Sequence, residues 1–162
     1  MESNLSTQGR AQCEAMLDAY DLSFVKEHME GEGMLVDDDF EKTEYEFKRF
    51  MKLVLSEEGP IAVFDRRVDE LWHSFILFTP QYQEFCDDVM GFFVHHQPRT
   101  SKTPVPEIAV QNFVSAYRRR FGELDPFWTD RIDPKLRDQI SSGLVFDLSQ
   151  LRWSGWTGRP RS

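Results

Sequence analysis

Apolar positions recur along most of this chain at helical spacing. Cys13, Met16, Leu17, Tyr20 and Phe24 fall at i, i+3, i+4, i+7 and i+11, one stripe of a helix between Ala11 and Phe24. Gly31, Gly33 and the acidic run Asp37 to Asp39 break the period and predict a solvated loop. Phe40, Phe47, Phe50, Met51, Val54 and Leu55 share the next face, which predicts a second helix from near Asp39 to about Ser56, stopped by Gly59-Pro60. The third helix is the clearest. Asp65 is placed to cap it, and Val68, Leu71, Trp72, Phe75 and Ile76 follow at strict helical spacing. It ends at Thr79-Pro80, where Thr79 as N-cap and Pro80 at the first helical position open a fourth helix. The stripe of that helix is Tyr82, Phe85, Cys86, Val89 and Met90, with Gly91 as its C-terminal cap. So short a connection implies an antiparallel helical hairpin.

Further on, Gln97 to Pro106 is rich in Pro, Ser and Thr and reads as a surface connection. A fifth helix from Glu107 to Phe121 turns Val110, Phe113, Val114, Tyr117 and Phe121 inward, and Arg118 to Arg120 complement the dipole of its last turn. Asp133-Pro134 can open a short helix to Ile140. Residues 1–140 therefore read as a small all-α domain built around the hairpin. Residues 141–162, with Gly143, Gly155, Gly158 and Pro160, read as an irregular tail, loosely ordered or docked, in which Trp153 and Trp156 are either an interaction element or a docked end.

Composition supports a folded chain: 40% of the 162 residues are hydrophobic, including 14 Phe and 4 Trp, which is ample material for a core and excludes disorder throughout. No apolar run approaches the ~18 residues a membrane span needs, and Met1 to Gln12 is too polar for a signal peptide. Cys13 and Cys86 have no paired spacing of a disulfide framework, so the expectation is a cytoplasmic protein in a reducing compartment, without a membrane partner. The net charge of -9 is confined to one end: Met1 to Glu58 carries 15 acidic and 6 basic residues, and the remainder 13 of each. Such a surface repels phosphate, so nucleic acid is not expected to bind through a broad basic face. The acidic run reads first as a solvated face; its functional reading is a protein partner of basic character.

Three of the four histidines, His73, His95 and His96, lie with Cys86 inside 24 residues. If the hairpin turns at Thr79-Pro80, His73 and Cys86 stand about equally far from the turn on neighbouring helices at ~1.5 Å rise per residue. After Gly91 an extended chain climbing roughly 3.3 Å per residue returns His95 or His96 to the same level, and only one of the two can face the cluster. Asp69, one turn before His73, can fix the imidazole tautomer or add an oxygen ligand. Two imidazoles, a thiolate and a carboxylate suit zinc, with iron as the alternative. The competing reading is structural: His73 paired to Asp69, and Cys86 a small core residue in mid-stripe, while His73 sits on the flank of its own helix. A cysteine nucleophile is disfavoured, because Glu84, Asp87 and Asp88 flank Cys86 and raise its pKa. Gly31-Glu32-Gly33 is too short and too acidic to cradle phosphate, and there is no CxxC or HExxH motif. The functional expectation is a binding or adaptor module whose metal centre is mainly structural, with a metal-dependent enzyme having an open His/Cys site as the alternative.

The string Val68-Asp69-Glu70-Leu71-Trp72-His73, continued by Tyr82, Cys86, Gly91 and His96, resembles the N-terminal module of the glycine-rich domain-containing proteins of plants and fungi and, more closely, their short bacterial relatives. The likeness extends to Phe47 to Leu53 and to Tyr117 to Trp128, roughly half the sequence. Plant members carry additional histidines at the positions of Phe75 and Phe78 and an Asp at that of Phe85, and the glycine-rich extension is absent from this chain. The resemblance implies that Asp69, His73, Cys86 and His96 act as a unit, favours His96 over His95, and carries little about activity.

Overall fold

In the computed structural model, residues 7–34, 40–57, 59–98, 100–102, 107–142 and 155–157 are described. They form, in order, α1 (Thr7–Ala19), α2 (Ser23–Gly31), α3 (Phe40–Ser56), β1 (Ile61–Val63), α4 (Arg66–Leu77), α5 (Thr79–Glu84) continued by a π-helical segment (Phe85–Met90), β2 (Gln97–Pro98), α6 (Glu107–Phe121), a 3-10 turn (Pro126–Trp128), α7 (Pro134–Ser142) and β3 (Gly155–Thr157). The expected all-α class holds, with the short strands as a minor addition. Among the described residues no helix is long and apolar enough to cross a membrane.

Contacts group the described residues into two units, those up to Ser56 and in 70–94 in one and those in 57–69 and 95–157 in the other. The first is built from α1, α2, α3, most of α4, and α5 with its π segment. The single helix expected from Ala11 to Phe24 is two. After α1 ends, Asp21 Oδ1 accepts the Ser23 amide at 2.9 Å and restarts the chain as α2, so Phe24 belongs to a new axis. The periodicity was continuous, but the local aspartate turn overrode it. The Asp37 to Asp39 run lies outside the described residues. Helix α3 follows its expected stripe, with Phe40, Phe47, Phe50, Met51, Val54 and Leu55 all buried.

Phe78 alone joins α4 to α5, and Phe75 packs its ring against Tyr82 and Phe85 across that joint, each at 5.1 Å between centroids. Thr79 is the first residue of α5 and not its cap; Phe78 holds the cap position, and no side chain caps the helix. Gly91 ends the π segment as expected, in the left-handed region at φ 79°. A β-carbon there would meet nothing within 4 Å, so only backbone strain opposes a side chain. Gly91→Ala is expected to cost about 1 kcal/mol in urea unfolding; undiminished stability would show that the turn tolerates other backbone conformations.

The second unit carries the sheet. Its strand order is β1-β3-β2, both pairings antiparallel, with Ile61 opposite Thr157, Ala62 opposite Trp156 and Gln97 also opposite Trp156. Thus Gly155 to Thr157, inside the expected irregular tail, form the central strand; residues 143–154 and 158–162, including Trp153, lie outside the described residues. Gln97–Pro98, within the expected surface connection, is an edge strand, where proline is tolerated. Helix α6 spans the expected residues, and Phe64, Phe113 and Trp128 form a ring cluster with centroids 4.6 to 5.5 Å apart. Asp133 accepts the Lys135 amide at 2.9 Å and caps α7.

Candidate metal centre

Asp65 sets the start of α4, as its carboxylate accepts the amides of Arg67 at 2.9 Å and Val68 at 3.4 Å. That start fixes which face each later residue of the helix occupies. Val68, Leu71, Trp72 and Phe75 are buried, and Asp69 and His73, one turn apart, lie along the flank of this stripe. Asp69 lies in the first turn, where the amide dipoles favour a carboxylate.

His96 comes to Asp69 from far along the chain. Its Nε2 lies 2.7 Å from Asp69 Oδ1, and the side chains are only 4% and 10% exposed. A carboxylate so enclosed costs free energy unless it is paired, and the imidazole supplies a partner. His73 is exposed, yet one potential ligand atom from each of Asp69, His73 and His96 falls within 4.8 Å of the others. A tetrahedral ion with ligands at about 2.0–2.1 Å sets its donors roughly 3.3 Å apart. His73 also lines a cleft of about 650 Å³ with His28, Glu32, Met34, Ser74, Ile76 and Leu77.

The structure thus brings three of the four expected residues together, and the one drawn in from the far segment is His96, whereas His95 is exposed. Cys86 is not in this group. Its side chain is fully buried, and Sγ accepts the Val94 amide at 3.5 Å. Burial pushes its thiol above the ordinary value, which disfavours the thiolate a metal ligand must be.

Two further residues around Val94, which the apolar pattern places in the core and the family resemblance includes in its motif, have polar roles. Trp72 Nε1 donates to Tyr82 Oη at 3.1 Å, and Tyr82 Oη donates to the Val94 carbonyl. Burial holds the Tyr82 phenol well above its ordinary pKa, so it keeps the proton it donates. The signal available in the sequence was chemical: an indole and a phenol at apolar positions must find partners when they are buried.

A family model described as UCP032817-like matches residues 12–139, which takes in α4, the π segment and every candidate ligand. The chain belongs to the UCP032817-like family. Searches of curated proteins and of solved structures found no match. For this UCP032817-like chain the side chains themselves therefore carry the functional reading.

Proposed function

We propose that this chain is a binding module in which Asp69, His73 and His96 hold a divalent ion, zinc first and iron second, that closes the segment around His96 onto α4. The observation that carries this reading is the convergence of two imidazoles and a buried carboxylate, with ligand atoms within 4.8 Å of one another. Nitrogen and oxygen donors in this number suit zinc, and two histidines with one carboxylate also suit ferrous iron. The centre is mainly structural, and the acidic N-terminal third meets a basic protein partner. The likeness of Asp69 to His96 to the module of the glycine-rich domain-containing proteins is in keeping with one unit of function.

A second reading has its own support. Three protein ligands leave a coordination position for water or substrate, and His73 lies on the wall of the 650 Å³ cleft. An exchangeable water on the bound ion would favour that open, catalytic site.

Elemental analysis of protein purified without an affinity tag tests the proposal. Near-stoichiometric zinc or iron is expected in the parent, falling at least roughly tenfold in His73→Ala and in Asp69→Asn. A parent free of metal that also fails to take up added zinc would sink it.

A further inference from the structure

Between Gly91 and Gln97 the chain has no regular structure, yet Val94 within it is only 1% exposed. A buried peptide group outside a helix or strand must find its partners elsewhere. Side chains provide both: Cys86 Sγ accepts the Val94 N–H at 3.5 Å, and Tyr82 Oη donates to the Val94 carbonyl. Trp72 fixes the sense of this chain of bonds. Its indole N–H can only donate, and it donates to Tyr82 Oη at 3.1 Å, so the phenol proton is directed at Val94. The left-handed turn at Gly91 sends the chain back so that Val94 reaches a sulfur eight residues earlier.

We infer that Trp72, Tyr82 and Cys86 are positioning residues for His96, a clamp on both backbone polar groups of Val94 that determines where the imidazole is delivered. One residue, His95, separates the clamped Val94 from His96, and two steps of extended chain cover at most roughly 7 Å, which leaves little slack. On the other side Gln97, the next residue, is paired to the central strand of the sheet. His96 is therefore held from upstream and downstream, and its pairing with Asp69 at 2.7 Å follows from where the chain is pinned. In this account Cys86 acts through a neutral sulfur and not as a metal ligand. The effect on metal affinity rests on the proposed function; the effect on His96 does not.

The experiment uses the full chain and Tyr82→Phe, which keeps the ring and removes the hydroxyl. Zn²⁺ affinity is expected to weaken about tenfold, as for other groups that orient a ligand from behind, and the His96 imidazole resonances of the metal-free protein should move, with helical content unchanged. Tyr45→Phe, at a half-exposed tyrosine on α3, should leave both readouts at parent values. Cys86→Ser retains an acceptor for the Val94 amide and should lie nearer the parent than Cys86→Ala. With Co²⁺ as the probe, the parent should show no sulfur-to-metal charge-transfer band. Parent-like affinity and parent-like His96 resonances in Tyr82→Phe would overturn the inference, and so would a charge-transfer band that Cys86→Ala abolishes. A parent that binds neither ion removes the proposed metal function alone, and the imidazole resonances then decide the positioning role by themselves.

Discussion

Phe75→Ala is expected to destabilise the chain by about 3–5 kcal/mol in urea unfolding, toward the upper end of what a single core truncation costs. The ring is fully buried, and its ring neighbours come from α2, α3, α5, the π segment and the residue that follows α1. Tyr20, after the end of α1, lies at 5.7 Å between centroids, Phe24 of α2 at 5.9 Å and Phe47 of α3 at 6.5 Å; Tyr82 of α5 and Phe85 of the π segment are each at 5.1 Å. Several of these contacts are edge-to-face, the arrangement aromatic quadrupoles favour. Alanine would leave a hole that five rings anchored on separate elements cannot close together, so the cavity term adds to the lost burial. Phe75→Leu, which keeps most of the volume, should cost well under half as much. A loss below about 1 kcal/mol for the alanine variant would mean that the unit repacks freely and that Phe75 is not its centre.

That central position was partly legible beforehand. Val68, Leu71, Trp72 and Phe75 recur at strict helical spacing after an aspartate able to cap, and they form the buried face of α4 behind that cap. Glu107 to Phe121 was equally clear, since its apolar stripe and its basic last turn agree on one helix. Legibility failed where a few local bonds outweigh periodicity. The break between α1 and α2 depends on one Asp21 carboxylate, and neither side of it changes the apolar stripe. The strands failed for a different reason. Ile61 to Val63 are buried at all three positions, so no alternation marks them, and their partner Gly155 to Thr157 lies more than ninety residues away. Pairing at that separation leaves no trace in either segment taken alone.

At the site, the helical spacing of Asp69 and His73 was readable, and so was the tension between a flank histidine and a mid-stripe cysteine. The structure follows that tension: His73 is exposed, while Cys86 is buried. Which histidine of the pair His95-His96 turns toward Asp69 was not readable from periodicity, because it depends on how the chain leaves Gly91 and where Val94 is held. The resemblance favours His96 over His95, and it is His96 whose Nε2 lies 2.7 Å from Asp69 Oδ1. No hydrophobic pattern announced the Val94 clamp, since all three of its side chains also belong to the core.

Arg67→Ala is expected to cost about 2–4 kcal/mol, at a position that helical periodicity assigns to the polar side of α4. The guanidinium is only 10% exposed and makes several contacts at once. It pairs with Asp65, Nη2 to Oδ2 at 2.7 Å and Nε to Oδ1 at 3.1 Å, and Nη2 also reaches the Phe127 carbonyl at 2.5 Å and Asp130 Oδ1 at 2.9 Å. Its plane also lies 3.7 Å from the centroid of the Phe127 ring. Asp65 is 5% exposed, so without Arg67 its carboxylate would stay enclosed and lose its cation, the circumstance in which breaking an ion pair is most costly. Asp130 is 46% exposed and water can replace its share, which holds the expected loss below that of a wholly buried network. Arg67→Lys should recover only part of the stability, because an ammonium can neither pair side-on with both Asp65 oxygens nor stack on the ring. The decisive measurement is a double-mutant cycle with Asp65→Asn. A coupling near zero would show that Asp65 serves only as the helix cap, whereas a coupling of about 1 kcal/mol or more would show that its pairing with Arg67 itself adds stability at the start of α4.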